Sequence, residues 1–346
     1  MRASRNGGET DDAFDRLALE LFDLQLRHNS AYQRICQARG SKPAHWKEVP
    51  AVPTSAFKEF EITCLALEDR TAVFHSSGTT EQRPSRHFHS AESLRIYEES
   101  VLAAIPRSFR PPEKNEGRRQ LLILTPNKQQ APHSSLVHMF HIFCRELGTA
   151  PSRFAGSVAA DGVWSLDLLE CVAVLGAAIA ENRPLFLLGT AFSYVHLLDH
   201  LASSGLSYQF PPGSRALETG GYKGRSRSMP KSELHELVEQ RLGIPQDQIF
   251  CEYGMSELSS QAYDAPTTGS GLFRFPPWAK PIIVSPETGR EVAEGETGLL
   301  RVFDLANVFS VMAVQTEDLA VRHPDGFELV GRAQLAEPRG CSLMPA

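Results

Sequence analysis

The chain has 346 residues, of which 42% are hydrophobic and 22% charged, a balance that suits one large or two moderate globular domains. Its net charge of −6 argues against nucleic acid as a partner, because nucleic-acid binders present a basic face. The polar segment from Met1 to Asp12 has no apolar signal core, and the longest apolar stretch, residues 171–180, is too short to cross a bilayer, so the cytoplasm is the expected location.

Between residues 13 and 38, Phe14, Leu17, Leu21, Leu24, Tyr32 and Ile35 fall at helical spacing, with Asp11 or Asp12 as the expected cap. Pro43, Pro50 and Pro53 then impose an extended path. Residues 121–124, closed by Thr125-Pro126, are predicted as a buried strand. Residues 164–180 are predicted as one helix and 184–189 as the next strand. Two further helices are predicted over 192–203 and 231–242, and 250–253 as a strand leading into a loop. Strands alternating with helices imply a parallel sheet in an α/β core. After about residue 270 the pattern changes to short strands, 299–303, 312–314, 319–322 and 327–330, with turn signals such as Pro324-Asp325-Gly326. They indicate an antiparallel β subdomain. The expected divisions are a helical segment over 1–49, an α/β core over 50–270, and a β subdomain with a cysteine-bearing tail over 271–346.

Three segments carry chemistry. Ser76-Ser77-Gly78-Thr79-Thr80 follows the apolar Ala72-Val73-Phe74, so four hydroxyls and one glycine occupy a loop after a strand. Such a loop offers N–H and O–H donors to a phosphate, and Gly78 permits close approach. No Gly-Lys-Ser/Thr follows, so it is not a Walker loop. In Glu252-Tyr253-Gly254-Met255-Ser256-Glu257, Gly254 allows a tight turn, Tyr253 offers a ring to stack, and Glu257 a carboxylate for Mg²⁺. In Thr316-Glu317-Asp318-Leu319, followed by Gly331-Arg332, Asp318 is suited to ribose hydroxyls and Arg332 to a phosphate or carboxylate. Taken singly, each segment reads more readily as a hydroxyl-rich turn, a solvated carboxylate or a surface ion pair than as a ligand site.

Their order changes that weighing. Spaced by about 175 and 60 residues, the three segments resemble the motifs of the adenylate-forming superfamily of acyl-CoA synthetases, luciferases and peptide-synthetase adenylation domains. Four further segments are similar to the acyl-protein synthetase (LuxE-like) branch: Val52-Pro53-Thr54-Ser55-Ala56-Phe57-Lys58, Glu218-Thr219-Gly220-Gly221-Tyr222-Lys223-Gly224, Gln261-Ala262-Tyr263 and Arg339-Gly340-Cys341-Ser342-Leu343. The resemblance runs from about residue 50 to 343. It implies the large domain of that fold, a layered parallel-sheet core with a C-terminal antiparallel β subdomain, without the mobile C-terminal lid of longer members.

The resemblance also implies ATP and Mg²⁺. Ser76, Ser77, Gly78, Thr79 and Thr80 would hold the phosphates, with Thr79 and Glu257 serving catalysis and Glu257 the metal. Gly220, Gly221, Tyr253 and Gly254 would lie beside adenine, Asp318 on the ribose, and Arg332 on a phosphate or carboxylate. The implied substrate is a carboxylic acid, by resemblance a fatty acid, activated as an acyl-adenylate. In the implied second step Cys341 attacks the adenylate, with Arg339 nearby to lower its pKa, and passes the acyl group to a reductase or carrier protein. Ala191, Phe192, Tyr194, Gln261 and Tyr263 are candidates for the acid pocket. The other cysteines, at 36, 64, 144, 171 and 251, read as thiols without a chemical role. His133, His138 and His141 are expected to pack or to line the acyl pocket. Two alternatives stay open, transfer of the same adenylate to coenzyme A or a carrier thiol, and a non-catalytic nucleotide-binding member. Glu81 motivates the second: it replaces a glycine usual in the family and would repel a triphosphate unless Arg83 or Arg86 compensates.

Overall fold

The computed structural model describes residues 5–40, 42–76, 83–110, 119–149, 151–220, 229–264 and 271–332, with side chains from residue 11 onward. Ser77, Gly78, Thr79, Thr80, Glu81, Gly221, Arg339 and Cys341 lie outside the described residues.

Two helices come first, α1 (Arg5–His28) and α2 (Ser30–Arg39). They are followed by β1 (Val52–Pro53), α3 (Ala56–Glu59), the antiparallel pair β2 (Ala72–His75) and β3 (Arg86–His89), and α4 (Ala91–Ala104). The α/β run comprises β4 (Gln120–Ile123), α5 (Ser135–Leu147), β5 (Arg153–Phe154), β6 (Gly156–Val158), β7 (Trp164–Leu166), α6 (Leu168–Ala180), β8 (Leu185–Thr190), α7 (Ala191–Ser203), β9 (Arg215–Thr219), α8 (Lys231–Leu242) and β10 (Ile249–Tyr253). Last come β11 (Ala262–Asp264), β12 (Phe273–Arg274), β13 (Ala279–Val284), β14 (Thr297–Asp304), β15 (Ala313–His323) and β16 (Gly326–Arg332).

Strands β5, β4, β8, β9 and β10 pair in parallel. The direction reverses at β11, and β12 joins β11 to the antiparallel run of β13 to β16. The parallel core and the antiparallel region are therefore one continuous sheet.

The parallel strands are apolar on both faces because helices cover both. Leu122, Leu185, Leu187, Ala216 and Ile249 face α6, α7 and α8. Leu121, Ile123, Phe186, Leu188, Leu217 and Phe250 alternate with them and face α4 and α5. A third core joins α1 and α2 to the antiparallel half, with Phe14, Ala18, Phe22 and Tyr32 against Val302, Phe303, Met312 and Val314.

Three local expectations are corrected. Helix α1 begins at Arg5, so Asp11 and Asp12 lie within it and cap nothing. The helical run instead breaks at Asn29, whose side chain accepts from the Tyr32 N–H at 3.0 Å and starts α2. Leu17 and Leu24 face solvent, while Ala18, Phe22 and the polar Gln25 occupy the buried stripe. Residues 164–180 are not one helix: Trp164–Leu166 pairs with β6, and Asp167 caps α6 by accepting from the Glu170 N–H. The predicted strands 312–314 and 319–322 lie along one long strand, β15, which Met312 just precedes.

Candidate active site

The carboxyl ends of three parallel strands are level. Thr190 pairs with Thr219 and Thr219 with Glu252, so β8, β9 and β10 end together, with Gly220 and Gly254 just beyond. The sheet reverses direction at the next strand. Ligands of open α/β sheets bind outside the carboxyl ends of the strands. The Thr219 hydroxyl donates to the Glu252 carboxylate, which fixes both side chains at the rim. Gly220 turns the chain with φ of 71°, a left-handed conformation that glycine adopts without strain. At Gly254 a Cβ would lie 2.4 Å from Glu252 Oε1, so a side chain there would displace the Glu252 carboxylate.

Beyond that turn, Tyr253 reaches across to the antiparallel strands. Its hydroxyl donates to Asp318 Oδ2 at 2.8 Å, and Arg332 Nε donates to Asp318 Oδ1 at 3.0 Å. Asp318 and Arg332 are register partners on β15 and β16. Phe273, Phe275 and Phe327 stand edge-on to the Tyr253 ring, at centroid distances of 6.2, 6.3 and 5.9 Å. Burial, reinforced by the Asp318 charge, pushes the Tyr253 phenol well above its ordinary pKa, so it remains a donor. Each Asp318 oxygen keeps a second lone pair, which suits it to accept from a diol.

A third group gathers at the other side of the Gly254 turn. The Ser85 N–H donates to Ser76 Oγ at 3.0 Å, and the Ser85 and Ser256 hydroxyls lie 3.4 Å apart. Ser256 Oγ donates to Glu257 Oε2 at 2.9 Å. The residues flanking the hydroxyl-rich segment are thus tied to each other, and one of them, Ser85, reaches the Ser256 that holds Glu257. Asn307 donates to the Glu257 carbonyl at 2.8 Å, and His87 Nδ1 lies 2.8 Å from the Ser256 carbonyl. Burial pushes the His87 and His89 imidazoles down to about 4 and about 2, so both are neutral near pH 7. The loop is anchored from below by buried Asp304, which accepts from the Ser259 and Ser260 N–H groups at 2.9 and 2.8 Å. Glu257 is 5% exposed and makes no ion pair with any described residue. A buried carboxylate with a free oxygen, set among hydroxyl oxygens, fits a hard cation such as Mg²⁺.

The family model for acyl-protein synthetase, LuxE, matches residues 6–345. The chain belongs to the LuxE acyl-protein synthetase family. Membership places it among the acid–thiol ligases. The long-chain-fatty-acid–luciferin-component ligase of Aliivibrio fischeri is 23% identical over 358 residues, covering 98% of this chain and 89% of that protein. The Vibrio harveyi protein of the same name is 20% identical over 346 residues, covering 95% and 86%. Among solved structures, 2-hydroxyisobutyryl-CoA ligase in complex with 2-HIB-AMP and CoA superposes with a TM-score of 0.71 at 14% identity, over 94% of this chain and 70% of that one. ATP-bound MatB from Rhodopseudomonas palustris gives 0.52 at 17% identity, over 78% of this chain and 49% of its own. These likenesses establish the adenylate-forming fold. No helix among the described residues is long and apolar enough to cross a membrane.

The structure of this LuxE-family chain brings Ser76, Gly220, Tyr253, Gly254, Glu257, Asp318 and Arg332 to one rim of the sheet. Gln261 adjoins the Gly254 turn, 3.4 Å from the Cβ position there, and its Oε1 is a buried acceptor without a hydrogen bond from any described residue. Tyr263 is buried on β11 and borders a cleft of about 300 Å³ with Ala103, Pro106, Arg274, Phe275 and Trp278. Ala191 starts α7 directly after Thr190 and so lies at the same rim. Phe192 packs edge-on to His196 at 4.3 Å. Tyr194 points into the core, where its hydroxyl donates to the carbonyls of Leu187 and Leu217 at 2.6 and 3.3 Å; there it ties β8 to β9. Of the three histidines, His138 is buried 3.2 Å from Glu98, and His133 stacks on His75 at 4.7 Å. Arg86 is engaged by Glu61 at 3.3 Å.

Sequence reasoning passed over Ser85, Thr219, Glu252, Ser256 and Asn307. Thr219, Glu252 and Ser256 stand inside the quoted motifs, and their positions at a strand end or turn were the available signal. Ser85 and Asn307 gave none, because they reach Ser256 and Glu257 across 171 and 50 residues of chain.

Proposed function

We propose that this chain activates a long-chain fatty acid with ATP and carries the acyl group as a thioester on Cys341, for delivery to a protein partner such as a reductase. The observation that supports this best is the single rim on which Ser76 and Ser85, Ser256 and Glu257, and the Tyr253–Asp318–Arg332 group meet. The names of the two relatives supply the acid class, and luciferin-component in those names motivates the reductase as partner.

In this reading the nucleotide lies across the ends of β9 and β10. Gly220 and Tyr253 flank the base, Asp318 accepts from the ribose hydroxyls, and the segment from Ser76 to Thr80 cradles the phosphates. Mg²⁺ on Glu257 would neutralise phosphate charge and orient the α-phosphorus. The acid carboxylate attacks that phosphorus, forming a C–O–P linkage and releasing pyrophosphate. What the chain contributes is positioning and preorganised donors, the main source of rate in such reactions. The Cys341 thiolate then attacks the acyl carbon; the C–S bond forms, the bond to the AMP oxygen breaks, and AMP leaves with the electron pair.

Incubation with ATP and a labelled fatty acid tests the assignment. The wild-type chain should retain label in a bond that neutral hydroxylamine cleaves, and Cys341→Ala should retain none. Undiminished labelling of Cys341→Ala would overturn the cysteine step.

A further inference from the structure

A second cluster of reactive side chains lies on the sheet face opposite the Thr219–Glu252 contact. Glu218 on β9, Cys251 on β10 and Asp264 on β11 are register neighbours, so their side chains emerge side by side beneath α8. Lys231 and His235, one turn apart on α8, face them. Cys251 Sγ lies 3.1 Å from Glu218 Oε1 and 3.7 Å from His235 Nε2, and that nitrogen is 3.7 Å from Glu218 Oε1.

We propose that Glu218, His235 and Cys251 supply three ligands of a structural site for a zinc-type divalent cation. Thiolate, imidazole and carboxylate are the donors zinc selects, at bonds of about 2.0–2.3 Å; a tetrahedron built on such bonds has edges of about 3.3–3.8 Å. Two of the observed separations, 3.7 and 3.7 Å, fall within that range and the third, 3.1 Å, lies just below it, so the donor atoms are close to forming one face of the polyhedron. These three are the one group of metal-ligating atoms found among the described residues.

Asp264 supplies an independent observation. The residue is 6% exposed, Lys231 donates to its Oδ2, and its Oδ1 has no hydrogen-bond partner among the described residues. A buried carboxylate oxygen left unpaired is costly, and a cation beside it removes that cost. Charge balance agrees. A Cys251 thiolate and the Glu218 carboxylate together cancel a divalent cation, while Lys231 and Asp264 cancel each other. Without a cation, burial and the Glu218 charge push the thiol well above its ordinary pKa and keep it protonated. Cation binding would therefore release the thiol proton to solvent.

The site touches no reacting group. It would pin α8 to β9 and β10, directly behind the strand ends that carry Gly220 and Tyr253.

The experiment uses the full chain, loaded with zinc, desalted and assayed by mass spectrometry of its metal content. The expected content is about one zinc per chain. Cys251→Ala and His235→Ala should each lower it several-fold, while Cys171→Ala, a buried thiol on α6, should leave it unchanged. Because a variant can fail to fold, the wild-type chain is also reconstituted with cobalt(II). Ligation by Cys251 predicts a thiolate-to-cobalt charge-transfer band in the near ultraviolet that is absent from Cys251→Ala and present in Cys341→Ala. Wild-type chain that retains neither zinc nor cobalt after desalting, cobalt bound without that band, or full zinc content in both Cys251→Ala and His235→Ala would each overturn the proposal.

Discussion

Asp318 carries more of the proposed nucleotide grip than its motif suggests. It is the common acceptor for Tyr253 and Arg332, so it sets the spacing between a buried phenol and an exposed guanidinium. Asp318→Asn keeps the shape but loses the charge and turns one acceptor into a donor. The KM for ATP is expected to rise about tenfold, equivalent to about 1.4 kcal/mol of binding, with a much smaller change in kcat. Initial rates over a range of ATP concentrations check this, and an unchanged KM would remove Asp318 from the nucleotide site. Residues of this kind were legible in the sequence because the motifs hold them in a fixed local frame. Gly254 is an example: a side chain there would push against the carboxylate of Glu252, two residues before it. Tyr194 shows the limit. An aromatic at the start of a helix reads as a pocket lining, and only the structure reveals that its hydroxyl is spent on two strand carbonyls.

The elements found from periodicity were the amphipathic or fully buried ones. The helix read over 231–242 coincides with α8, and the buried strands near 121–124 and 250–253 are present within a residue or two. Two of the readings that failed share a cause, a short polar residue acting as a cap inside an apolar run. Asn29 divides α1 from α2, and Asp167 divides β7 from α6. Gln25 shows how a polar residue in a helix stripe can be structural. It is fully buried, donates to the carbonyls of Asn307 and Val308 at 2.8 and 3.1 Å, and accepts from the Met312 N–H at 3.0 Å. Those bonds fasten α1 to the turn between β14 and β15, which also holds Asn307 against the Glu257 loop. Gln25→Ala strands three buried backbone groups and is expected to cost about 2–4 kcal/mol. Urea denaturation should show a lower midpoint at unchanged slope; an unchanged midpoint would show that this fastening contributes nothing.

For the whole molecule, the sequence indicated a change from parallel to antiparallel strands but not that one sheet carries both. Strands β11 and β12 make the join and have three and two residues, too short to leave a periodic signal. The same scale governs pH dependence. His87, His89 and His138 sit together in the core between the β2–β3 pair and α5, and burial lowers them to about 4, 2 and 4. For His138, Lys128 adds to the lowering and Glu98 opposes it. A histidine with a lowered folded pKa binds its proton more readily when unfolded. Stability is therefore complete above the unfolded value of about 6.5 and is lost as pH falls toward 4, at up to about 1.4 kcal/mol per pH unit for each histidine. Unfolding followed from pH 7 to 4 should show this decline, and His87→Gln should make it shallower. A stability flat from pH 6.5 to 4 would mean the three imidazoles are hydrated.

The account depends most on the rim of the sheet forming an acyl-adenylate. Acid-dependent exchange of labelled pyrophosphate into ATP reads that step alone. Across a panel of fatty and aromatic acids, the wild-type chain is expected to exchange label with long-chain fatty acids, and Cys341→Ala to exchange it equally well, since the cysteine acts only afterwards. Absence of exchange with every acid, in a folded chain that ATP stabilises against heat, would contradict the account and leave a nucleotide-binding protein without the reaction.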